Sequence, residues 1–420
     1  MGYTITEKIL AAKCNREDVH AGDFINPRVD MVVVSDLDGV MAVLEYKKIK
    51  RMNPFNPQKV VFLLDRCSLS LDDDSMRLIR NFKKFASEYE IRYFDIKYSG
   101  APLLFLPEIG DVYPGELIIG SIPHMSSFGF ISALGLGVGA TDIAAVIAMG
   151  EFWLQVPESI KVVFNGDIPK WVTGKDLALY IIGRIGVAGA LNQTIELSGN
   201  SISNLSLSDR YAITNMIVET GAVSGLIPPD KITREYSHNH HQKNQIFLIA
   251  DQNANYSIVH EVDVSELEPL VATPHSPDNV IPLSDIGDVE IDRVVIGSSS
   301  SGTIEELQAA AQVFEGHLVH PHVRTVVVPG TQQIYLEALR QGFLEIFLQA
   351  NCVINPFTNG GCVGNQYGVL DEGERCVITG NQNFQGVMGH SESEVYITNT
   401  YVAAASAIAG KISSPADILR

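Results

Sequence analysis

The run DRVVIGSSSSGTIEELQAAAQVF, Asp292 to Phe314, decides how the rest of the chain is read. Val294, Val295 and Ile296 form the short apolar block of a buried strand. Gly297, four serines and Gly302 follow, and TIEELQAAAQVF then opens a helical pattern. A glycine-flanked turn of this kind sets small polar groups at a strand's carboxyl end and a helix N-terminus, where α/β proteins place ligands and anions. The same residues can equally serve as a turn that caps the helix.

Outward from this run the strand–turn–helix order recurs, which predicts a mostly parallel sheet with helices on both faces. Thr4 to Lys13 reads as an amphipathic helix. MVVVSDLDGVMAVLEYKKI reads as a strand, a polar turn carrying Asp36 and Asp38 facing outward, and a helix. KVVFLLDRCS is a strand closed by Asp65, Arg66 and Cys67, followed by a helix from Asp72 to Tyr89. LIIGSIPHMSSFGF places His124 in a turn after another strand. Further on, a helix starts at Thr173, and a second one spans Ser206 to Ala222. That second helix sets Asn215 and Glu219 at i and i+4, on one face. The stretch from Pro228 to Gln245 reads as a polar loop. The expected division is three α/β domains, 1–155, 156–282 and 283–400, with 401–420 as a C-terminal helix packing back.

Composition narrows the partners. Hydrophobic residues make up 46% of 420 and charged residues 19%, enough for large packed cores. The net charge of −19 disfavours nucleic acid and anionic membrane surfaces. Five widely spaced cysteines with no CxxC pair suit a reducing compartment. The apolar stretches are too short for a membrane span. The reading is a soluble cytoplasmic protein.

Several side chains could carry chemistry. Glu219, on a helix that otherwise buries ITNMIV, must be satisfied or line a cleft, and is a candidate general acid or base. Arg66 could lower the thiol pKa of Cys67, although adjacent strand residues point to opposite faces. His238, His240 and His241 lack the acidic or cysteine partners of a structural zinc site. The loop NPFTNGGCVG can form an anion-binding nest, but its one thiol, Cys362, cannot hold an iron–sulfur cluster alone.

Taken together, GVGATDIA (137–144), the block from Trp153 to Gly186, RYAITNMIVETGAVSGLIPPD (210–230), TPHSPDNV and ERCVITGNQNFQG resemble the aconitase superfamily. The likeness is greatest to the large subunits of 3-isopropylmalate dehydratase and homoaconitase, and it covers nearly the whole chain. It implies an aconitase-like three-domain α/β large subunit without the swivelling fourth domain, and a small-subunit partner that supplies that domain. It also implies a [4Fe–4S] cluster held by three cysteines. Here Ser299 and Asn359 stand in two of those positions, and Cys362 alone is kept. Oxygen and amide groups replace thiolates poorly towards iron–sulfide, so no cofactor of the conventional kind is expected.

Other family positions differ as well. Arg66 follows Asp65 where the family has histidine, Leu103 replaces another histidine, and Ile122-Pro123-His124 keeps only the last residue of Asp-Ser-His. Gln382 and Val387 stand where two carboxylate-clamping arginines belong. Glu108, Asp65, His124, Asn215, Glu219 and Asn381 remain.

The resemblance therefore implies a cluster-free, lyase-type enzyme of the hydro-lyase or isomerase kind, acting on a small hydroxylated or carboxylated metabolite. Glu219, His124 and Asp65 would be its catalytic residues. Arg66, Asn215, Ser299, Ser300, Asn359, Asn381 and Gln382 would line the substrate. Two alternatives stand beside this reading. One is an atypical mononuclear metal or small cluster held by Cys362, with Cys67 and His124. The other is a non-catalytic aconitase-fold subunit.

Overall fold

In the computed structural model, the residues described are 2–49, 53–64, 73–95, 100–240, 245–298, 300–357 and 369–419. The chain folds as two compact units that interleave in sequence. The first takes 1–165, 190–207 and 221–262, and the second takes 166–189, 208–220 and 263–420.

The first unit holds a five-stranded parallel sheet in the order Arg92–Phe94, Val60–Leu63, Met31–Ser35, Leu117–Gly120, Leu134–Gly137. All five residues of Met31–Ser35 are buried, as expected for a strand covered on both faces. Each fully buried valine there, such as Val32, Val33 or Val34, contributes roughly 1.5–3 kcal/mol of apolar burial. The helix Asp36–Lys48 and the helix Asp73–Glu88 pack on this sheet, with Phe62 stacked on Phe82 at 4.2 Å. The expected polar turn after Met31–Ser35 does not form. Asp36 is the first residue of the helix and is buried rather than facing out, because strand and helix join directly through Ser35.

A second sheet of the same unit runs Ser224–Leu226, Gln193–Ser198, Glu158–Asn165, Ile258–Asp263, and a short antiparallel ribbon joins Phe24–Ile25 to Leu154–Gln155. The helix Ile5–Cys14 docks here through one buried carboxylate. Glu196 accepts from the Thr6 N–H at 3.0 Å and from the Tyr256 hydroxyl at 2.8 Å, which satisfies a donor that the helix N-terminus leaves open.

The expected polar loop of 228–245 is instead largely a helix, Lys231–Asn239. Asp230 caps it by accepting from the Thr233 N–H. His238 lies on this helix, and His240 ends it, with its ring nitrogens on the carbonyls of Tyr236 and Glu108. These contacts give His240 a structural role; His241 lies outside the described residues.

The second unit is built on a seven-stranded sheet ordered Val280–Pro282, Leu270–Ala272, Glu394–Ile397, Arg375–Ile378, Arg293–Gly297, Arg324–Val328, Val353–Ile354. The last five strands are parallel, and Leu270–Ala272 pairs antiparallel on both sides. The strand of the opening run is central, and its helix Ile304–Phe314 is capped by Thr303. At the strand's end Gly297 has φ 104°, and an added Cβ would stand 2.0 Å from the Val328 carbonyl oxygen. Only glycine fits there. Ser298 follows at φ 78°, and these two left-handed residues in succession bend the chain sharply into the serine turn.

Candidate active site

In the seven-stranded sheet the chain leaves Arg293–Gly297 in one direction, to Arg324–Val328 and Val353–Ile354. It then returns on the other side as Arg375–Ile378 and Glu394–Ile397. Strand order therefore reverses between Arg293–Gly297 and Arg375–Ile378. In open α/β sheets that switch point, outside the carboxyl ends, is where ligands bind. The serine turn and the segment Thr379 to Asn383 emerge there.

The two turns are stitched together. Gly297 N–H donates to Thr379 Oγ1 at 2.9 Å, and Ser301 Oγ donates to the Thr379 carbonyl at 2.6 Å. Ser300 is fully buried, and its hydroxyl donates to the same carbonyl at 3.2 Å. Its hydroxyl thus faces into the protein, so any effect of Ser300 on a bound molecule runs through this brace. Beneath it, Lys175 of the helix Gly174–Ile185 reaches Thr379 and Gly380.

Past Gly380, successive side chains of one segment meet one helix. Asn381 Nδ2 donates to Asn215 Oδ1 at 3.0 Å, and Gln382 Nε2 donates to Glu219 Oε1 at 3.1 Å. Asn383 turns inward, donating to the carbonyls of Ala272, Thr273 and Val395. The expected continuous helix over Ser206–Ala222 is an α-helix, Leu207–Met216, that tightens to a 3₁₀ turn, Ile217–Thr220. Asn215 and Glu219 thus straddle a change of pitch, yet both reach the same opposing segment. Asn215 and Asn381 are buried, and Glu219 is 7% exposed. Burial lifts the Glu219 carboxyl from its ordinary range to about 7, and the Gln382 amide pulls part of that back. A carboxyl poised there can take or give a proton near neutrality.

The five-stranded sheet of the first unit repeats the topology. Its strand order reverses between Met31–Ser35 and Leu117–Gly120. At their carboxyl ends the Ser35 N–H donates to Ser121 Oγ at 3.0 Å. His124 lies three residues on, half-buried at the start of the 3₁₀ segment Pro123–Ile131, where its carbonyl accepts from Ser127. Leu103 is buried core on the short helix Pro102–Glu108.

Asp65, Arg66, Cys67, Ser299, Asn359 and Cys362 lie outside the described residues. The donor chemistry at positions 299, 359 and 362 still allows a test of the cluster that the resemblance implies. A serine, an asparagine and one cysteine do not fit a site that needs three thiolates. Among the described cysteines, Cys352 and Cys376 cannot make up the set. Cys376 is buried near the amino end of its strand, with its thiol on the Val377 carbonyl. Cys352 is buried in the core, where desolvation pushes its thiol up to about 12. Among the described residues no three His, Cys, Asp or Glu side chains converge as metal ligands.

Sequence reasoning missed the ionisable groups under the site. Lys175, Arg210 and Asp176 are all buried. Thr173-x-x-Asp176 is a readable capping box, but its partners Leu270 and Asn399 are far away in sequence.

Comparison with known proteins gives one answer along the whole length. The model of the aconitase family (aconitate hydratase) matches residues 7–288 and 284–410. The chain is 42% identical to the "3-isopropylmalate dehydratase large subunit" of Thermodesulfovibrio yellowstonii, over all of both chains. It is 43% identical to the "3-isopropylmalate dehydratase large subunit 1" of Pyrococcus furiosus, again over the full length of both. Among solved structures, Thermococcus kodakaraensis aconitase X shares the fold with a TM-score of 0.50 at 13% identity, covering 91% of this chain and 90% of that one. On the length of these matches and the level of identity, the chain belongs to the aconitase family.

Proposed function

We propose that this chain is the large subunit of a lyase that adds or removes water at a small hydroxylated or carboxylated metabolite, with Glu219 as general base and His124 as general acid. The observation that carries this is the Glu219–Gln382 and Asn215–Asn381 pairing at the switch point of the seven-stranded sheet. A carboxyl raised to about 7 by burial is suited to removing a proton from carbon next to a carboxyl or carbonyl group. The relatives' names, as dehydratase large subunits, support the reaction class and a small-subunit partner.

The reaction is proposed to run without a conventional iron–sulfur cluster. Charge that develops on the departing hydroxyl would be met by fixed dipoles, among them the Asn381 and Gln382 amides. Asp65 as a further catalytic residue and Arg66 as the binder of a substrate anion belong to the same proposal. Ser299 and Asn359 are proposed to offer polar groups in place of two cluster ligands, and Ser300 to act through its brace on the Thr379 carbonyl. An amide, Gln382, and an apolar side chain, Val387, where carboxylate-clamping arginines would stand favour a ligand less acidic than a dicarboxylate. The three-domain division and a cytoplasmic location belong to the same proposal; among the described residues no helix is long and apolar enough to cross a membrane.

The test is turnover of 3-isopropylmalate and of its monoamide by the chain mixed with a small subunit. Glu219→Gln is expected to lower it roughly 10²–10⁴-fold, and unchanged turnover would remove the assignment of Glu219.

A further inference from the structure

Lys175 is out of place by every local rule. It is the second residue of the helix Gly174–Ile185, where the exposed N–H dipoles oppose a positive charge. Only 1% of it is exposed. Taking an ammonium out of water costs several kcal/mol unless oxygen atoms replace its hydration. Here they do. Nζ donates to the Thr379 carbonyl at 2.8 Å, to the Gly380 carbonyl at 3.1 Å and to Ser300 Oγ at 3.4 Å. Its acidic neighbour is Glu306 of the helix Ile304–Phe314, whose carboxyl feels the Lys175 charge and that of Asp209. Asp209 is itself fixed, accepting from the Gly174 N–H at 2.7 Å. Arg210, fully buried, is the next cation on that helix.

The Thr379 and Gly380 carbonyls and the Ser300 hydroxyl belong to the two turns flanking the switch point. The peptides Lys175 grips immediately precede Asn381 and Gln382, whose amides reach Asn215 and Glu219. We infer that Lys175 is a positioning residue: its ammonium fixes the Thr379–Gly380 peptides against the serine turn and so sets the reach of Gln382 to the Glu219 carboxyl. A merely space-filling lysine would affect stability alone. A positioning lysine also alters the proton affinity of a group that it does not touch. The inference rests on Glu219 being the acid–base group of the site, but its test reads the resting protein and needs no turnover.

The experiment is carbon NMR of the full-length protein carrying glutamate labelled at the carboxyl carbon, with the Glu219 signal assigned by its loss in Glu219→Gln. Side-chain amide signals of labelled glutamine report on Gln382. Two variants are compared, Lys175→Met and the double variant Lys175→Met with Glu306→Gln. The second also removes the carboxyl neighbouring that ammonium, so that Glu306 is not left buried without its cation if the single variant fails to fold. In the folded variant the Glu219 midpoint is expected to rise by about half a pH unit or more, because a weakened donor stabilises the carboxylate less. The Gln382 amide signal is expected to move towards that of a free amide. A folded variant that melts earlier, with both signals unchanged, would overturn the inference. Failure of the catalytic reading shows elsewhere, as turnover that survives in Glu219→Gln, and leaves this titration interpretable.

Discussion

At the scale of single residues, Glu219 ties function to a cost in stability. Its folded pKa of about 7 lies above the ordinary carboxyl value of 4.5, so the native state binds the proton more tightly than the unfolded chain. Stability is then full below pH 4.5 and is lost as pH climbs through 7, by on the order of 3 kcal/mol for a shift of this size. Glu219→Gln imitates the protonated form and can still accept from Gln382. Thermal melts should show it more stable than the parent at pH 8 and nearly equal to it at pH 5. As the base, Glu219 must be ionised, so the activity of the parent should climb as pH rises through about 7, and the variant should lose roughly 10²–10⁴-fold. The pair Asn215 and Glu219 was legible in the sequence from its spacing of four. Gln382, the group that meets Glu219, lies 163 residues on and was legible as a partner only through the family resemblance. Lys175 was not legible at all, because a lysine in a first helical turn reads as a solvent-facing charge.

At the scale of elements, caps that look alike in the sequence differ in what they hold. Thr4-x-x-Glu7 and Thr173-x-x-Asp176 are both capping boxes. Thr4 works within its own turn, so Thr4→Ala should cost about 1 kcal/mol. Asp176 also accepts from the Leu270 N–H at 2.9 Å and the Asn399 amide at 2.8 Å, joining a helix, a strand and a second helix cap. Asp176→Ala leaves those donors buried and unpaired, and should cost about 3–5 kcal/mol. Denaturant midpoints measured on both variants decide whether the ranking holds. The strands were legible because they are short apolar runs set off by charged residues: Asp30 and Asp36 flank MVVVS, and Lys59 precedes VVFL. The helix Lys231–Asn239 was not, since its polar composition masks the cap at Asp230. The 3₁₀ turn at Ile217–Thr220 was also hidden, because nothing in IVET marks a change of pitch.

At the scale of the whole molecule, the expected α/β class was borne out, and what the residues concealed is the order in which distant strands pair. Two sheets share one plan, each reversing beside its central strand, and both reversals carry serine hydroxyls on backbone groups. Protein made without oxygen should lack the broad absorbance near roughly 400 nm of a cysteine-ligated cluster, given one thiolate in three positions. Iron bound in stoichiometric amount would sink the cluster-free reading. The interleaving of the two units also bears on time. Lys175 leaves the ribosome 204 residues before the Thr379 carbonyl that it will grip, and Asp176 leaves 223 before Asn399. At 5–20 residues per second that is a wait of roughly 10–45 s. Throughout it, two groups destined for burial stay in water beside the apolar face of their helix, and the second unit cannot close. A half-made chain is therefore the vulnerable form, and a stalled ribosome past position 263 would expose more of this protein to proteolysis than the finished molecule ever does.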